Sequence, residues 1–329
     1  MKTYKSLLEQ AVAELTAAGV PEPDINAWYL LSWAIAIGQE EDSHLTIDRE
    51  AESAYDDGKA SVQKDGVSDD VEAARFTLDL ARRMPDKAWY MLHAGDEAAD
   101  AVQECLARFT GYRCKGCPLE YITHYTEFMG LPFYVDPSVL IPRQDTECLV
   151  EEAIKISSGK DVLDLCTGSG CIAVSISKLG DAGSVTASDK SKEALKVAGI
   201  NAAINDTDIR FLQGDMFKAL GGTDDTYRGF DIITCNPPYI RRPEIHGLMR
   251  EVRDYEPVLA LDGGDDGLVF YRKLALEAGE YLRRKGVIMV EIGYDQADDV
   301  TRLFRGCHFK DIRVIKDLAG NDRVVTAVK

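Results

Sequence analysis

A regular alternation of short apolar runs and amphipathic segments begins at Asp161 and constrains the fold of this chain more than any other feature. The apolar runs predict strands at 161–165, 184–188, 208–213, 230–235 and 286–292. Segments with helical spacing separate them, at 170–179, 191–203, 267–283 and 296–305. Two further strands, at 311–315 and 323–328, predict a terminal hairpin that adds an antiparallel strand. The fold class is therefore α/β, with a doubly wound, mostly parallel sheet of seven strands.

The first 112 residues lack this alternation and predict a small N-terminal helical domain, with helical spacing at 3–19, 24–37, 71–83 and 98–109. Residues 40–70 are acidic and poor in apolar periodicity, so we expect a solvated surface insertion there. The region 113–142 carries two runs rich in aromatic and β-branched residues, 118–122 and 128–135, which predict a β-hairpin linker. A helix at 145–156 then opens the alternating domain, which spans 143–329.

The composition fits a cytoplasmic protein that binds neither nucleic acid nor a membrane directly, and we expect a monomer. The 329 residues carry a formal net charge of −18, which argues against a wide basic surface for duplex nucleic acid. The longest apolar run, at 28–37, is too short to span a bilayer, and no secretory signal precedes it. The 8 cysteines are scattered, as is typical of a protein from a reducing compartment.

The segment 161–173 is predicted to form a strand, a glycine turn and a helix. Gly168 and Gly170 allow a tight turn and a close approach of a ligand to the backbone. The helix that follows offers free N–H groups to that ligand. Asp189 ends the next strand, where a carboxylate can accept hydrogen bonds from both ribose hydroxyls of an adenosine.

The fourth strand of the alternating domain ends in Asn236-Pro237-Pro238-Tyr239, at the sheet edge where ligands bind in open α/β folds. The prolines cannot continue a strand, because they lack N–H donors. The Asn236 amide oxygen and the Pro237 carbonyl can accept the two hydrogens of a planar –NH2 group, and Tyr239 can stack on its face. We therefore assign catalysis to Asn236, Pro237 and Tyr239, and substrate binding to these residues and Pro238. A plain proline turn that only ends the strand is the alternative.

The glycine turn alone fits either a nicotinamide dinucleotide or S-adenosyl-L-methionine. Two features favour S-adenosylmethionine. Asp164 ends the first strand, where it can reach an ammonium group but would repel a pyrophosphate, and the fourth strand lacks a hydride-transfer residue set. The predicted cofactor site comprises Asp164, Cys166, Thr167, Gly168, Ser169, Gly170, Asp189, Asp215, Met216 and Asn236, with Asp215 and Met216 lining the adenine.

The four-residue motif at 236–239 resembles that of methyltransferases that act on planar exocyclic or amide nitrogens. Further segments are similar to the peptide chain release factor glutamine N5-methyltransferases (the HemK/PrmC family): Pro118 to Ile122, Leu140 to Glu147, Tyr255 to Pro257, Ala260-Leu261, Asp266 to Leu268, and Lys316 to Gly320 with Arg323. The resemblance covers about 115–329. It implies a Rossmann-like methyltransferase fold, an N-terminal domain that recognises the substrate, and methylation of the glutamine of a Gly-Gly-Gln motif in class 1 peptide chain release factors, in translation termination.

The chain departs from the family at four positions. The family usually has glycine where His124 and Cys166 stand, proline where Gln144 stands, and often an aromatic residue where Met216 stands. None of these departures removes a group that we assign to the chemistry.

Several alternatives remain open. A nucleic-acid amino methyltransferase could use the same pocket on adenine or guanine, but the acidic composition weighs against it. A ribosomal-protein glutamine methyltransferase fits the motifs equally, whereas the intact pocket weighs against a non-catalytic cofactor-binding module. Cys114 and Cys117, with Cys105 and His124 nearby in sequence, could form a zinc site, but a lone C-x-x-C is weak evidence and we predict no metal. Arg143 and Glu256 are conceivable secondary groups at the site, although surface ion pairing is expected for each.

Overall fold

The computed structural model describes residues 2–39, 67–221 and 229–329. Most of the predicted acidic insertion, residues 40–66, lies outside the described residues. The chain separates into two compact units, Met1–Tyr125 and Thr126–Lys329. The sequence predicted three segments, with boundaries after 112 and 142, and this finer division stays a prediction.

The first unit is helical, with α1 (Tyr4–Ala17), α2 (Pro23–Gly38), α3 (Val67–Arg82), α4 (Lys87–His93), α5 (Asp100–Cys114) and α6 (Leu119–Thr123). The longest apolar run, at 28–37, lies in α2, which is buried on most of its surface. Arg113 on α5 donates to the Asn26 side chain on α2 at 2.6 Å, so the buried charge is hydrogen-bonded. None of the helices within the described residues is long and apolar enough to span a bilayer.

A hairpin is present in the predicted linker, but its strands are β1 (Tyr125–Phe128) and β2 (Leu131–Tyr134) rather than the predicted runs 118–122 and 128–135. Met129 and Gly130 between the strands both have positive φ, as a two-residue type I′ turn requires. The prediction of a strand at 118–122 is wrong, because this run lies mostly in the short helix α6. A short apolar run without alternation does not distinguish strand from helix, and here Tyr121 and Ile122 are buried from helical backbone.

The second unit contains the predicted seven-stranded sheet, with the strand order β5-β4-β3-β6-β7-β9-β8. Its strands are β3 (Asp161–Leu165), β4 (Ser184–Asp189), β5 (Arg210–Gln213), β6 (Phe230–Cys235), β7 (Leu282–Glu291), β8 (Lys310–Lys316) and β9 (Asp322–Val328). The first five are parallel, and β9 lies antiparallel between β7 and β8. The predicted fold class is therefore confirmed, including the terminal hairpin.

Helices cover both faces of this sheet: α7 (Gln144–Ser157), α8 (Cys171–Leu179), α9 (Lys192–Ile204), α12 (Val269–Tyr281) and α13 (Ala297–Gly306). Successive side chains of a strand point to opposite faces. Leu163 of β3 accordingly packs in a core with α12 and α13, while its neighbour Val162 packs in a second core with α7 and α8. The sheet is thus buried on both sides, which explains the continuous apolar runs in its sequence.

The sequence did not predict the short elements between β6 and α12. These are a 3₁₀ helix (Arg242–Gly247), α10 (Arg250–Tyr255) and α11 (Val258–Leu261), and a further 3₁₀ helix (Met216–Leu220) follows β5. Strand β7 begins four residues earlier than the predicted 286, because Leu282 pairs with Phe230 ahead of an irregularity in the ladder. The next pair is Ile232 with Val287, so the extra residues lie in β7. The remaining strands and helices of this unit lie within two residues of their predicted bounds.

Candidate active site

The connections after β3 and β6 border one crevice at the carboxyl edge of the sheet. Strand β3 has β4 on one side and β6 on the other, so the chain reverses its direction of travel across the sheet at this point. Ligands of open α/β sheets bind at such a switch point. The glycine loop follows β3 and the turn at 236–239 follows β6, so the fold brings the two predicted sites together.

The glycine loop after β3 has the backbone that a closely approached ligand requires. Gly168 has a φ of +54°, and a Cβ at this position would meet open space. Gly170 has a φ of +79°, and its Cβ would lie 3.0 Å from that of Ala198 on α9, so only glycine fits the helix contact. Cys166 also has a positive φ, of 57°. The loop is held from behind by Asn201 on α9, which donates to the Ser169 carbonyl at 2.8 Å.

Asp189 at the end of β4 is positioned by the glycine loop. Its two carboxylate oxygens accept backbone N–H groups of Gly168 and Ser191, each at 2.9 Å. Partial burial raises the pKa of this carboxyl, and the backbone hydrogen bonds oppose that rise. Each oxygen keeps a further lone-pair position. The carboxylate is therefore oriented and still able to accept from a vicinal diol, which fits the ribose of an adenosine.

Asp164, predicted to reach the cofactor's ammonium group, lies fully buried beneath the loop. One oxygen accepts the Thr167 hydroxyl at 2.6 Å and the other accepts the Thr234 hydroxyl at 2.8 Å. Burial raises the pKa of Asp164 to about 7. The direct contact stays a prediction, and in this structure Asp164 supports the loop through Thr167.

The predicted adenine wall follows β5. Met216 is buried, and its sulfur lies 3.5 Å from the Cys166 thiol. The backbone of Met216 has a φ of 56°, which turns the chain sharply after Asp215. The Asp215 carboxylate lies 3.5 Å from the Lys273 ammonium group. A soft apolar surface and a partly paired carboxylate are thus available on this side of the crevice.

The turn after β6 presents two open acceptors. The Asn236 amide nitrogen donates to the Thr146 hydroxyl at 3.3 Å, which leaves its oxygen free to accept. Within the described part of the chain, neither this oxygen nor the Pro237 carbonyl accepts a hydrogen bond. Thr146 lies in the first turn of α7, and sequence reasoning had assigned it no role.

Tyr239 is held at both ends. Its hydroxyl donates to Glu291 at the end of β7 at 3.3 Å, and its carbonyl accepts from the Gln296 side chain at 3.1 Å. Two glycines pack against its backbone, since a Cβ on Gly263 would lie 2.7 Å from the Tyr239 Cα and one on Gly267 would lie 2.5 Å from its carbonyl oxygen. The turn is therefore a rigid part of the fold rather than a mobile loop.

Glu291 is the main group that sequence reasoning missed. It is 1% exposed, and burial raises its pKa to about 7. Arg323 on β9 opposes this rise, and its guanidinium is itself bound by Asp145 at 2.9 Å and Asp317 at 3.0 Å. The signal that could have identified Glu291 is its place as the charged residue that closes an apolar strand at the carboxyl edge of the sheet.

The expectation of a surface ion pair for Arg143 and Glu256 is only half right. The two side chains do pair, but the Glu256 side chain is almost fully buried. The pair joins the start of α7 to the segment after α10. It therefore links two segments of the second unit through a buried carboxylate.

None of the 8 cysteines, which all lie in the described ranges, forms a disulfide, and Cys105 and Cys117 are buried. Among the described residues, no group of three or more histidine, cysteine or acidic side chains is arranged to hold a metal ion. This part of the chain includes Cys114 and His124, the other members of the possible zinc site.

The chain is similar over most of its length to known methyltransferases. The family described as Methyltransferase small domain matches residues 144–278. A release factor glutamine methyltransferase from Clostridium acetobutylicum is 44% identical over 228 residues, which cover 67% of this chain and 78% of that protein. Another from Koribacter versatilis is 32% identical over 330 residues and covers 99% of both chains. Among solved structures, a release factor-specific protein-(glutamine-N5) methyltransferase from Alicyclobacillus acidocaldarius is 37% identical, covers 60% of this chain and 99% of that one, and has a TM-score of 0.36.

Proposed function

Because this chain belongs to the release factor glutamine methyltransferases, we propose that it methylates the glutamine of the Gly-Gly-Gln motif in class 1 peptide chain release factors, with S-adenosyl-L-methionine as the methyl donor. The observation that carries this proposal is the pair of open acceptors at Asn236 and Pro237. A primary amide has two N–H hydrogens in one plane, and two converging acceptors match them.

The reacting amide nitrogen is a poor nucleophile, because its lone pair is delocalised into the carbonyl. Orientation and charge stabilisation therefore matter more than a strong base. The Asn236 oxygen and the Pro237 carbonyl hold the two amide hydrogens, aim the nitrogen and stabilise the positive charge that grows on it. Tyr239 packs on the amide plane, and its anchored hydroxyl supports that role. The proton leaves to water after transfer, when the nitrogen has become acidic.

S-adenosylmethionine, when bound, supplies a methyl group on a sulfonium centre. The residues after β3 and β4 suit it, because Gly168 leaves open space beside the loop and Asp189 presents an oriented carboxylate for the ribose. Buried Asp164 adds a negative charge beneath the loop that favours a cationic ligand whenever it is ionised. These groups belong to the chain itself and need no metal.

A protein rather than a nucleic acid is the proposed partner, which the net charge of −18 supports. Recognition of the release factor by the N-terminal helical domain, a monomeric state and a cytoplasmic location remain predictions.

The experiment that tests the function is a tritiated-methyl transfer assay that offers purified class 1 release factor, ribosomal protein and DNA side by side. Label is expected in the release factor alone, and its Gly-Gly-Gln glutamine should carry it. A release factor whose motif glutamine is replaced by alanine is the matched substrate control. Label in ribosomal protein or DNA instead would contradict the proposal.

A further inference from the structure

Glu291 is a buried carboxylate to which the proposed chemistry gives no role beyond anchoring the Tyr239 hydroxyl. Its Oε1 accepts the Tyr239 hydroxyl at 3.3 Å. Its Oε2 is also buried, and no residue of the described ranges makes a hydrogen bond of good geometry with it. Burying a carboxyl group with an open oxygen is costly, so a carboxylate at this place requires a reason beyond packing.

A second line of contacts leads to the same carboxylate from Asn236. The Asn236 amide nitrogen donates to Thr146 Oγ1 at 3.3 Å. A hydroxyl that accepts one hydrogen bond keeps its own proton for another acceptor. The Thr146 hydroxyl lies close enough to Glu291 to lower the pKa of that carboxyl. The free proton of Thr146 and the open Oε2 of Glu291 are therefore complementary.

We propose that Glu291 is a positioning residue for methyl transfer, because as a carboxylate it takes the Thr146 proton and so fixes which way the Asn236 amide faces. A carboxylate only accepts, so Thr146 must donate to it and can then only accept from Asn236. That direction assigns the Asn236 nitrogen to Thr146 and its oxygen to the reacting glutamine amide. The same carboxylate holds the Tyr239 ring through its hydroxyl. The inference rests on the proposed function.

The protonation state of Glu291 decides the direction of this relay. The titratable and charged groups that influence it come from every neighbouring element: Tyr239 after β6, Asp145 on α7, Arg323 on β9, Tyr271 on α12 and Cys171 on α8. Burial raises the pKa of Glu291 to about 7, while the Thr146 hydrogen bond and the Arg323 charge oppose that rise. A protonated Glu291 is a donor, and Thr146 is then free to donate to the Asn236 oxygen. The acceptor for the substrate is lost in that state, so turnover falls as the pH drops through about 7.

The variants Glu291→Gln and Thr146→Val test the relay in the full-length enzyme with release factor as substrate. Thr146→Val removes the donor, and Glu291→Gln replaces one of the two acceptor oxygens with an NH2 donor, so the side chain can no longer accept from both Thr146 and Tyr239. Each variant keeps the shape of the side chain, and kcat should fall by about 10-fold or more, as for one lost hydrogen bond at the reacting centre. Cofactor affinity measured by calorimetry should stay within about 2-fold, since neither residue is placed at the cofactor. Thr146→Ser restores the hydroxyl and should restore kcat. Thr186→Val removes a buried hydroxyl from β4 outside the site and should leave kcat unchanged.

The pH profile separates positioning from a merely structural role. Wild-type kcat should show an acid limb with a midpoint near pH 7, and Glu291→Gln should be slow with that limb gone. The inference is overturned if Glu291→Gln has the same kcat as the wild type, or if its pH profile keeps the acid limb. A loss confined to cofactor affinity and thermal stability overturns it as well.

A readout without substrate keeps this inference separate from the proposed function. The carboxyl stretch of Glu291 is identified as the infrared band that is present in the wild type and absent in Glu291→Gln. The pH midpoint of this band should be higher in Thr146→Val than in the wild type and unchanged in Thr146→Ser. An unchanged midpoint in Thr146→Val overturns the relay. Absence of methyl transfer by the wild-type enzyme would overturn the proposed function instead, and the infrared titration would still decide the relay.

Discussion

Asn236 concentrates the proposed chemistry in one side chain, because its two amide atoms face different partners. The nitrogen is held by Thr146 and the oxygen is open. Replacing the side chain therefore tests the oxygen without disturbing the turn, which glycines and Gln296 hold through its backbone.

Asn236→Ala should lower the single-turnover rate of methyl transfer about 10²–10³-fold, as for loss of a preorganised polar group at a reacting centre. Asn236→Asp keeps an acceptor for the substrate amide and should be less damaged than the alanine variant. Cofactor binding, measured in parallel, should fall far less than the rate in the alanine variant. Near-wild-type turnover in Asn236→Ala would mean that the turn only ends the strand.

Asp189→Ala should weaken S-adenosylmethionine binding by about 1–3 kcal/mol, because the ribose loses a charged acceptor. Calorimetry measures this change directly. Asp208 is an exposed carboxylate that precedes β5. Asp208→Ala is therefore the matched control and should bind the cofactor normally. Unchanged affinity in Asp189→Ala would refute the ribose assignment, and tighter binding of NAD than of S-adenosylmethionine would refute the methyl-donor assignment.

Asp164 makes the stability of the protein depend on pH in a predictable direction. Its pKa in the folded state is raised to about 7 from the model-peptide value of 3.8. Its contribution to stability is therefore fully present below pH 4 and is lost as the pH rises through 7. Urea unfolding should show wild type losing up to about 1 kcal/mol per pH unit from this group within that window. Asp164→Asn should lose less over the same range, and equal pH slopes in both proteins would contradict the assignment.

Left-handed backbone explains the family's preference for glycine at two of the four positions where this chain departs from it. His124, Cys166 and Met216 all have left-handed backbone, with φ of 53°, 57° and 56°. Glycine adopts this conformation without steric cost, whereas other residues are strained there. The family's preference for glycine at the first two positions therefore has a direct physical cause.

His124→Gly should raise the free energy of unfolding by about 1 kcal/mol, because His124 caps the end of α6 in the left-handed region. Ala18 caps the end of α1 with a φ of −80°, so Ala18→Gly is the matched control and should lower it. Chemical unfolding of both variants measures the difference. A stability loss in both would show that contacts of the histidine ring outweigh the backbone strain.

The molecule as a whole divides its chemistry unevenly between its two compact units. Every residue assigned to the cofactor, to the reacting amide and to the Glu291 relay lies within Thr126–Lys329. The helical unit Met1–Tyr125 holds none of them. This separation predicts that substrate recognition can be removed without removing the chemistry.

Deletion of residues 1–124 should leave S-adenosylmethionine affinity intact and abolish methylation of the full-length release factor. A short peptide that contains Gly-Gly-Gln should still be methylated at a low rate, which distinguishes lost recognition from a damaged site. Full-length enzyme with Asn236→Ala serves as the inactive control on both substrates. If the shortened enzyme methylates intact release factor normally, the helical unit has another role.

The order of strands and helices after Asp161 and the place of the ligand crevice were predictable from the sequence. Strand β6 has its predicted bounds because an apolar run predicts a buried strand and two prolines must end it. The carboxyl edge of the sheet is then marked by the glycines after β3, the acidic residue that ends β4 and the motif at 236–239, and their local chemistry points to ligands.

The supporting groups were decided only by tertiary structure. Thr146 and Asn236 are 90 residues apart, and Tyr239 and Glu291 are 52 residues apart, so no local pattern couples them. Their protonation and hydrogen-bond directions depend on burial, and burial depends on which helices pack across the sheet. The helix at 119–123 is a similar case, because its short apolar run fits either backbone and packing chooses between them. Local patterns thus define elements and their ends, whereas the partners of a buried polar side chain exist only once distant segments have packed together.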